Sequence, residues 1–297
     1  MRVLITGASG FIGTALSDAL LQRGDEVIAW VHNSSPQNGS VKTVRLLSDI
    51  DQPIDAVVNL AGAPIADARW SASRKALLLS SRKQTTEALV QWLGQQSEPP
   101  KTLISGSAIG FYGACSSDEL VTEASEPHCD DFSAELCQIW ESAARAAEAF
   151  GTRVCLIRTG IVLGKGGALA KMRLPFLLGG GGPIASGKQW MPWIHLDDEV
   201  QAILHLLDNA ELSGAFNLTA PKPARNREFV KAYAASLNRP ALFPMPAFAV
   251  RLMLGSEAST LLTEGLKVVP ERLIQSGFKH RYTDLHDALR AVEQVNQ

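Results

Sequence analysis

Apolar residues fall along this chain in short unbroken runs separated by longer segments of helical period. Val3-Leu4-Ile5, Val27 to Val31, Ala56 to Leu60, Thr102 to Ser105 and Val154 to Thr159 read as strands. Their continuous rather than alternating hydrophobicity predicts burial on both faces, as in a parallel sheet. Between them lie helical stretches, among them Phe11 to Arg23, ended by Gly24, then Ala72 to Leu93 and Ala134 to Phe150. This alternation predicts an α/β fold with a doubly wound sheet and a ligand crevice at the carboxyl ends of its strands.

After Gly164 the pattern breaks up. Gly164, Gly166 and Gly167, the glycines from Gly179 to Gly182, and Pro183, Pro192 and Pro221 predict loops and short elements. Helices at Asp197 to Asp208 and Asn226 to Leu237 flank a last strand, Ala215 to Leu218, that returns to the sheet. From Pro244 onward, apolar helical segments around Ala247 to Leu254 and Glu257 to Val268, and a closing helix from Thr283, predict a helical cap. The expected division is a dinucleotide-binding domain over 1–164, completed by 196–219. A smaller, interleaved, mostly helical substrate-side lobe is expected from 165–195 and 220–297, including a small C-terminal helical domain over about 244–297.

The most specific chemistry is in Gly7-Ala8-Ser9-Gly10-Phe11-Ile12-Gly13, on the turn from the first strand to the first helix. Glycines there permit a tight turn and close backbone approach to a pyrophosphate resting on the helix N-terminus, so a dinucleotide is the expected ligand and the sheet is of Rossmann type. The residue that ends the second strand, where a carboxylate usually binds the ribose of NAD, is Val31. His32, Asn33 and Ser34 follow it, and the missing carboxylate admits a 2′-phosphate; His32 reads equally as a solvated loop residue. NADP(H) is the expected cofactor. Leu60, Ala61 and Gly62 end the next strand beside the same crevice, and Asp49 stands near the adenine end or in a solvated turn.

Charge and composition narrow the class. The 297 residues are 46% hydrophobic with a net charge of −2, enough for a large core and without a basic stripe for nucleic acid or an anionic membrane. No apolar stretch reaches spanning length and no leader precedes the first strand, so a cytoplasmic location and a small-molecule substrate are expected, the oligomeric state being left open. Cys115, Cys129, Cys137 and Cys155 form no Cys-x-x-Cys pair and read as reduced thiols, with neither a disulfide nor a metal site.

Five segments occur in order: Thr6-Gly7-x-x-Gly10-x-x-Gly13, Asn59 to Gly62, Ser105-Gly106-Ser107 running to Phe111-Tyr112-Gly113, Arg158-Thr159-Gly160, and Trp193 to Asp198. Together they resemble the extended short-chain dehydrogenase/reductases, the NAD-dependent epimerase/dehydratase superfamily, over essentially the whole chain. Ser81-Arg82, the run Arg158 to Gly167, Gly187 to Met191 and the tail from Leu254 to Phe278 look like an atypical branch, the YfcH-type epimerase family related to family 39U. The resemblance implies an NADP(H)-binding oxidoreductase or epimerase-like protein without a settled substrate. It places Arg82, Ser105, Arg158, Thr159, Gly160 and Ile161 at the cofactor, with Arg82 and Arg158 reading also as structural ion pairs, and Ser107 where the superfamily has its catalytic serine or threonine, or as a turn serine capping its own backbone.

The superfamily's Tyr-x-x-x-Lys pair is absent. The three tyrosines, Tyr112, Tyr233 and Tyr282, are followed four residues later by Ser116, Leu237 and His286, and the expected pair falls near Ser133 and Cys137. Tyr112 is the remaining phenol near the Ser107 loop, a substitute acid or a residue that shapes the pocket. Lys188, Trp190 and Trp193 form a cationic and aromatic cluster suited to stacking a substrate ring or to pinning the lobe to the sheet. His195 and Asp197 read as a turn and helix cap. Two functions remain: an NADP(H)-dependent enzyme with an unconventional proton donor, or a non-catalytic NADP(H)-binding redox sensor or scaffold.

Overall fold

The computed structural model describes residues 1–32 and 34–294. Seven parallel strands form one sheet: β1 (Arg2–Thr6), β2 (Glu26–Trp30), β3 (Lys42–Val44), β4 (Ala56–Asn59), β5 (Thr102–Ala108), β6 (Arg153–Thr159) and β7 (Gly214–Leu218). Their spatial order is β7-β6-β5-β4-β1-β2-β3. β3 went unread in the sequence because Lys42 and Thr43 are exposed on an edge, leaving no apolar run to see.

Successive side chains of β1 feed different cores, as strand geometry requires. Val3 and Ile5 pack with Leu16 and Leu20 of α1 (Phe11–Gln22) and with Ile203 and Leu206 of a later helix on the same face. Leu4 instead joins Leu89 and Leu93 of α2 (Ala72–Gly94) and Ala144 of α3 (Phe132–Arg145) on the other face. The doubly wound arrangement follows from this two-sided burial.

Beyond β6 the chain builds the lobe. α4 (Gly167–Leu177) stands where the sequence predicts loops; glycines at both ends and Pro175 in its last turn conceal a helix-forming centre. α5 (Leu196–Asp208) returns the chain to the sheet through β7. α6 (Asn226–Ser236) then packs Phe229 and Tyr233 against Trp193 and the tail's Leu285, Leu289 and Val292. α7 (Ala247–Leu254), α8 (Ser256–Thr263), α9 (Glu271–Gln275) and α10 (Leu285–Gln294) complete the tail.

The tail is woven into the fold rather than appended. Lys267–Val268 pairs in parallel with Leu120–Val121, and Arg272 of α9 donates to the carbonyls of Ala215 (2.7 Å) and Ser213 (2.8 Å) at β7. The expectation of four reduced cysteines is corrected: Cys115 and Cys129 form a disulfide across the excursion between β5 and α3, their Cα atoms 6.4 Å apart. The loop folds back on itself, which local spacing does not reveal. Cys137 and Cys155 are free and buried. Among the described residues no helix is long and apolar enough to cross a membrane.

Candidate functional site

The chain runs from β1 outward through β2 and β3, then crosses to β4 on the other side of β1, so the strand order reverses between β1 and β4. The glycine turn lies at that point. Gly7 has φ +72°, and a Cβ there would sit 2.8 Å from the Leu60 carbonyl carbon and oxygen; a Cβ on Gly13 would sit 2.2 Å from the Gly7 oxygen. The Gly10 N–H donates to the Gly7 oxygen at 2.9 Å, and Gly10 opens α1 without a side-chain cap. The first N–H groups of α1 are therefore available to an anion, with Ser9 and Gly10 exposed beside them. Phe11 and Ile12 are half-buried. The Phe11 ring lies against the Gly164 to Gly167 turn, where a Cβ on Gly166 would come within 2.5 Å of it.

Behind the turn a buried polar chain fixes the floor. The Thr6 hydroxyl donates to Asn59 Oδ1 (2.7 Å) and accepts the Ala61 N–H (3.1 Å). Asn59 Nδ2 donates to Thr86 (2.8 Å) and to the hydroxyl of Ser105 (3.2 Å). Ser105, expected at the cofactor, is thus sealed inside the sheet as a support for Asn59. At the end of β2, His32 and Ser34 are exposed, His32 edge-on to Trp30 at 5.1 Å; Asn33 lies outside the described residues. From Val31 to Ser40 the chain carries no carboxylate. Asp49 is exposed at the end of a short helical turn after β3.

At the other end, Ala61 and Gly62 lead to a half-buried Arg82 on α2. Its Nη1 donates to the carbonyls of Ala63 (3.1 Å) and Leu78 (3.2 Å). The guanidinium lies so close over Gly62 that a Cβ there would be 2.9 Å from Cζ. Burial, with the neighbouring Arg74 charge, lowers the Arg82 pKa.

Ser107, Tyr112 and Arg158 meet, but inside the protein. Ser107 donates to Glu141 Oε1 at 2.7 Å, and Arg158 grips both Glu141 oxygens at 2.8 and 3.0 Å. Arg158 Nη1 donates to the Tyr112 hydroxyl (3.0 Å), which donates to Asn217 Oδ1 (2.8 Å), while the guanidinium stacks 3.4 Å from the Phe111 ring centre. All five polar residues are buried, and burial pushes the Tyr112 pKa up. This corrects the reading of Tyr112 as a substitute acid, and it makes the Arg158 side chain the structural ion pair that the sequence left open: an ion pair removed from water must be fully hydrogen-bonded, and Ser107 and Tyr112 supply bonds to it. The Ser107 hydroxyl is committed in the same way.

Thr159, Gly160 and Ile161 remain half-buried at the end of β6. The Thr159 hydroxyl donates at 2.8 Å to Glu199, whose pKa burial raises to about 8 and whose second oxygen has no partner among the described residues. His195 opens α5, its Nδ1 accepting the Asp197 N–H at 3.1 Å. The expected aromatic cluster divides. Trp193 is fully buried with its indole N–H on the Lys222 carbonyl (3.1 Å), a core residue rather than a stacking surface. Trp190 donates to Asp118 (3.1 Å) beneath the Arg225 guanidinium at 3.8 Å, and Lys188 is exposed. Among the described residues no cluster of His, Cys, Asp and Glu is assembled for a metal ion.

Residues 3–219 match the NAD dependent epimerase/dehydratase family, and residues 245–292 match a domain of unknown function, DUF1731. The chain belongs to the NAD dependent epimerase/dehydratase family. It is 37% identical over 296 residues to the epimerase family protein YfhF of Bacillus subtilis, with 97% of each chain covered. The crystal structure of the human epimerase family protein SDR39U1 with NADPH superposes with a TM-score of 0.91 at 36% identity, covering 99% of both chains. A nucleoside-diphosphate sugar epimerase from Corynebacterium glutamicum is 31% identical with a TM-score of 0.80, covering 99% of this chain and 58% of that one.

Against the epimerase/dehydratase pattern, three residues passed unread in the sequence. Glu141 shares a buried face of α3 with Ser133 and Cys137 at four-residue intervals, a signal that was present. Glu199 looks like any acidic residue in a helix first turn, and only the sheet beneath shows it to be buried. The Arg74 N–H donates to the Ser71 hydroxyl that caps α2, and its side chain left no local signal in the sequence.

Proposed function

We propose that this crevice binds NADP(H) and that the chain is an NADP(H)-dependent oxidoreductase or epimerase-like enzyme acting on a small carbonyl or nucleotide-sugar-like compound. The observation that carries the reading is the cradle itself: Gly7 and Gly13 are packed so tightly that no side chain fits, directly beneath an uncapped α1. The absence of a carboxylate from Val31 to Ser40 supports the 2′-phosphate form, as does the NADPH in the human relative's structure.

In this reading the Gly7–Gly13 turn with Ser9, Phe11 and Ile12 holds the pyrophosphate, and His32, Asn33 and Ser34 meet the 2′-phosphate. Asp49 stands at the adenine side. Leu60 to Gly62 and the backbone of Thr159 to Ile161 flank the nicotinamide end. NADPH, when bound, supplies a hydride to a carbonyl carbon. Ser107 and Tyr112 act by holding Glu141 and Arg158 under that end, and the proton comes from another group or from water. Lys188 and Trp190 border the substrate side. The proposal includes a cytosolic protein whose partner is a small molecule rather than nucleic acid or membrane.

The committed hydroxyls of Ser107 and Tyr112 also favour a second reading, a non-catalytic NADP(H) sensor. A panel of aldehydes, ketones and nucleotide sugars offered to the NADPH-loaded protein, with NADPH absorbance followed, separates the two. Oxidation by any of them, retained in Tyr112→Phe to within a few-fold, supports the enzyme. Stoichiometric NADPH binding with no oxidation across the panel supports the sensor.

A further inference from the structure

We propose that the crevice opens onto an apolar rim built by α4, α7 and the chain leading into α7, so that the substrate is an anionic amphiphile whose hydrocarbon part lies along that rim. The proposal rests on the reading of the crevice as the place where NADPH and a carbonyl compound meet, and names what that compound carries.

The six most exposed large apolar side chains among the described residues all belong to this rim: Leu174 and Leu178, Leu242 and Phe243, Phe248 and Leu252 are between 64% and 78% exposed. Scattered singly they would need no explanation, but they are joined. The N–H groups of Phe243 and Met245 donate to the carbonyls of Gly181 (3.2 Å) and Pro183 (2.8 Å), and Arg239 Nε donates to the Leu177 carbonyl (3.0 Å), which ties the end of α4 to the segment before α7. Leu174 and Leu178 share a face of α4 with Lys171, and Phe248 and Leu252 share a face of α7 with Arg251.

Both helices meet the crevice through one loop. On the stretch from Gly62 to Ser71, Asp67 pairs with Lys171 of α4, and Arg69 donates to the carbonyls of Leu252 and Met253 (3.2 Å for the latter) near the end of α7. α4 itself starts where Gly166 meets the Phe11 ring beside the glycine turn. The rim is therefore continuous with the dinucleotide crevice.

Charge names the occupant. From Thr159 to Leu196 the chain carries four lysines and arginines and no Asp or Glu, and from Phe229 to Ser256 it carries three and again no acid, although the whole chain has a net charge of −2. Two such faces brought together would set like charges against each other, which disfavours a second copy of the chain. A hydrocarbon chain covers the leucines and phenylalanines, and a negative group on the same molecule answers the surrounding cations, with Arg251 exposed between Phe248 and Leu252. Attachment of both helices to the crevice loop favours a molecule that also enters the crevice over a bilayer surface.

Decanoate, decanol and decyltrimethylammonium, each kept below its micelle concentration, are the probes, titrated by calorimetry into the full chain with and without saturating NADPH. Decanoate binds the NADPH-loaded protein with one-to-one stoichiometry, roughly tenfold or more tighter than decyltrimethylammonium. Phe248→Ser with Leu252→Ser weakens decanoate roughly tenfold or more and leaves NADPH affinity unchanged, Arg251→Gln narrows the lead of decanoate over decanol, and Leu46→Ser, at an exposed leucine after β3, changes neither. No decanoate binding by wild type, equal affinity for the three probes, or equal binding by wild type and the folded double variant overturns the proposal. A wild type that sediments with phosphatidylglycerol vesicles, or as a dimer, with either behaviour lost in the double variant, gives the rim to a membrane or to a second copy and overturns it as well. If wild type binds no NADPH but binds decanoate through Phe248 and Leu252, the proposed function fails and the apolar site stands.

Discussion

Glu141 shows how a single residue can hold a site together without touching a ligand. It accepts from Ser107 and from two nitrogens of Arg158, all away from water. Glu141→Gln should therefore destabilise the fold by about 3 kcal/mol, measured by denaturant unfolding, because it leaves a buried guanidinium uncompensated. Glu141→Leu with Arg158→Met should recover most of that loss. Glu199 gives the opposite kind of prediction. Its folded pKa, raised to about 8 from 4.5, means the folded state keeps a proton that the unfolded state releases. Its contribution is fully present below pH 4.5 and is lost as pH rises to about 8, so wild-type stability should fall across that window more steeply than that of Glu199→Gln. Parallel curves for the two proteins would mean that Glu199 ionises normally. The positions of Ser107 and Tyr112 were readable in the sequence, but their partners were not: Glu141 is 34 residues from Ser107, and Asn217 is 105 from Tyr112. Which way a hydroxyl points depends on chain segments that no local pattern connects.

At the scale of elements, the β1–α1 turn was legible because each glycine has a steric duty. Gly13→Ala should weaken NADPH binding at least roughly tenfold and lower stability by about 1–3 kcal/mol, since the new methyl meets the Gly7 oxygen that shapes the turn. An alanine variant that binds NADPH like wild type would show the turn to be tolerant. The central strands and α2, α5 and α6 were equally legible, their apolar runs being long and bounded. α4 and β3 were not. α4 hides between glycines and carries a proline, and β3 pairs through its backbone while exposing its side chains, so neither leaves a periodic trace. Trp193 illustrates the same limit: an aromatic cluster looks alike whether it faces a ligand or a core, and only the packing of α6 and α10 decides.

The whole molecule joins a two-sided sheet, whose strand order reverses at the glycine turn, to a lobe tied in at β7 and along Leu120–Val121. That architecture makes cofactor choice a property of the β2 end, distant from the buried Glu141 centre. The central claim is that the crevice holds NADP(H), and the direct test is titration of the purified full chain with NADPH and with NADH, read by nicotinamide fluorescence, for wild type and His32→Asp. NADPH should bind wild type roughly tenfold or more tighter than NADH, the scale of one charged hydrogen bond, and His32→Asp should erase that preference by placing a like charge beside the 2′-phosphate. Equal affinity of wild type for the two cofactors, or no binding of either, would contradict the account.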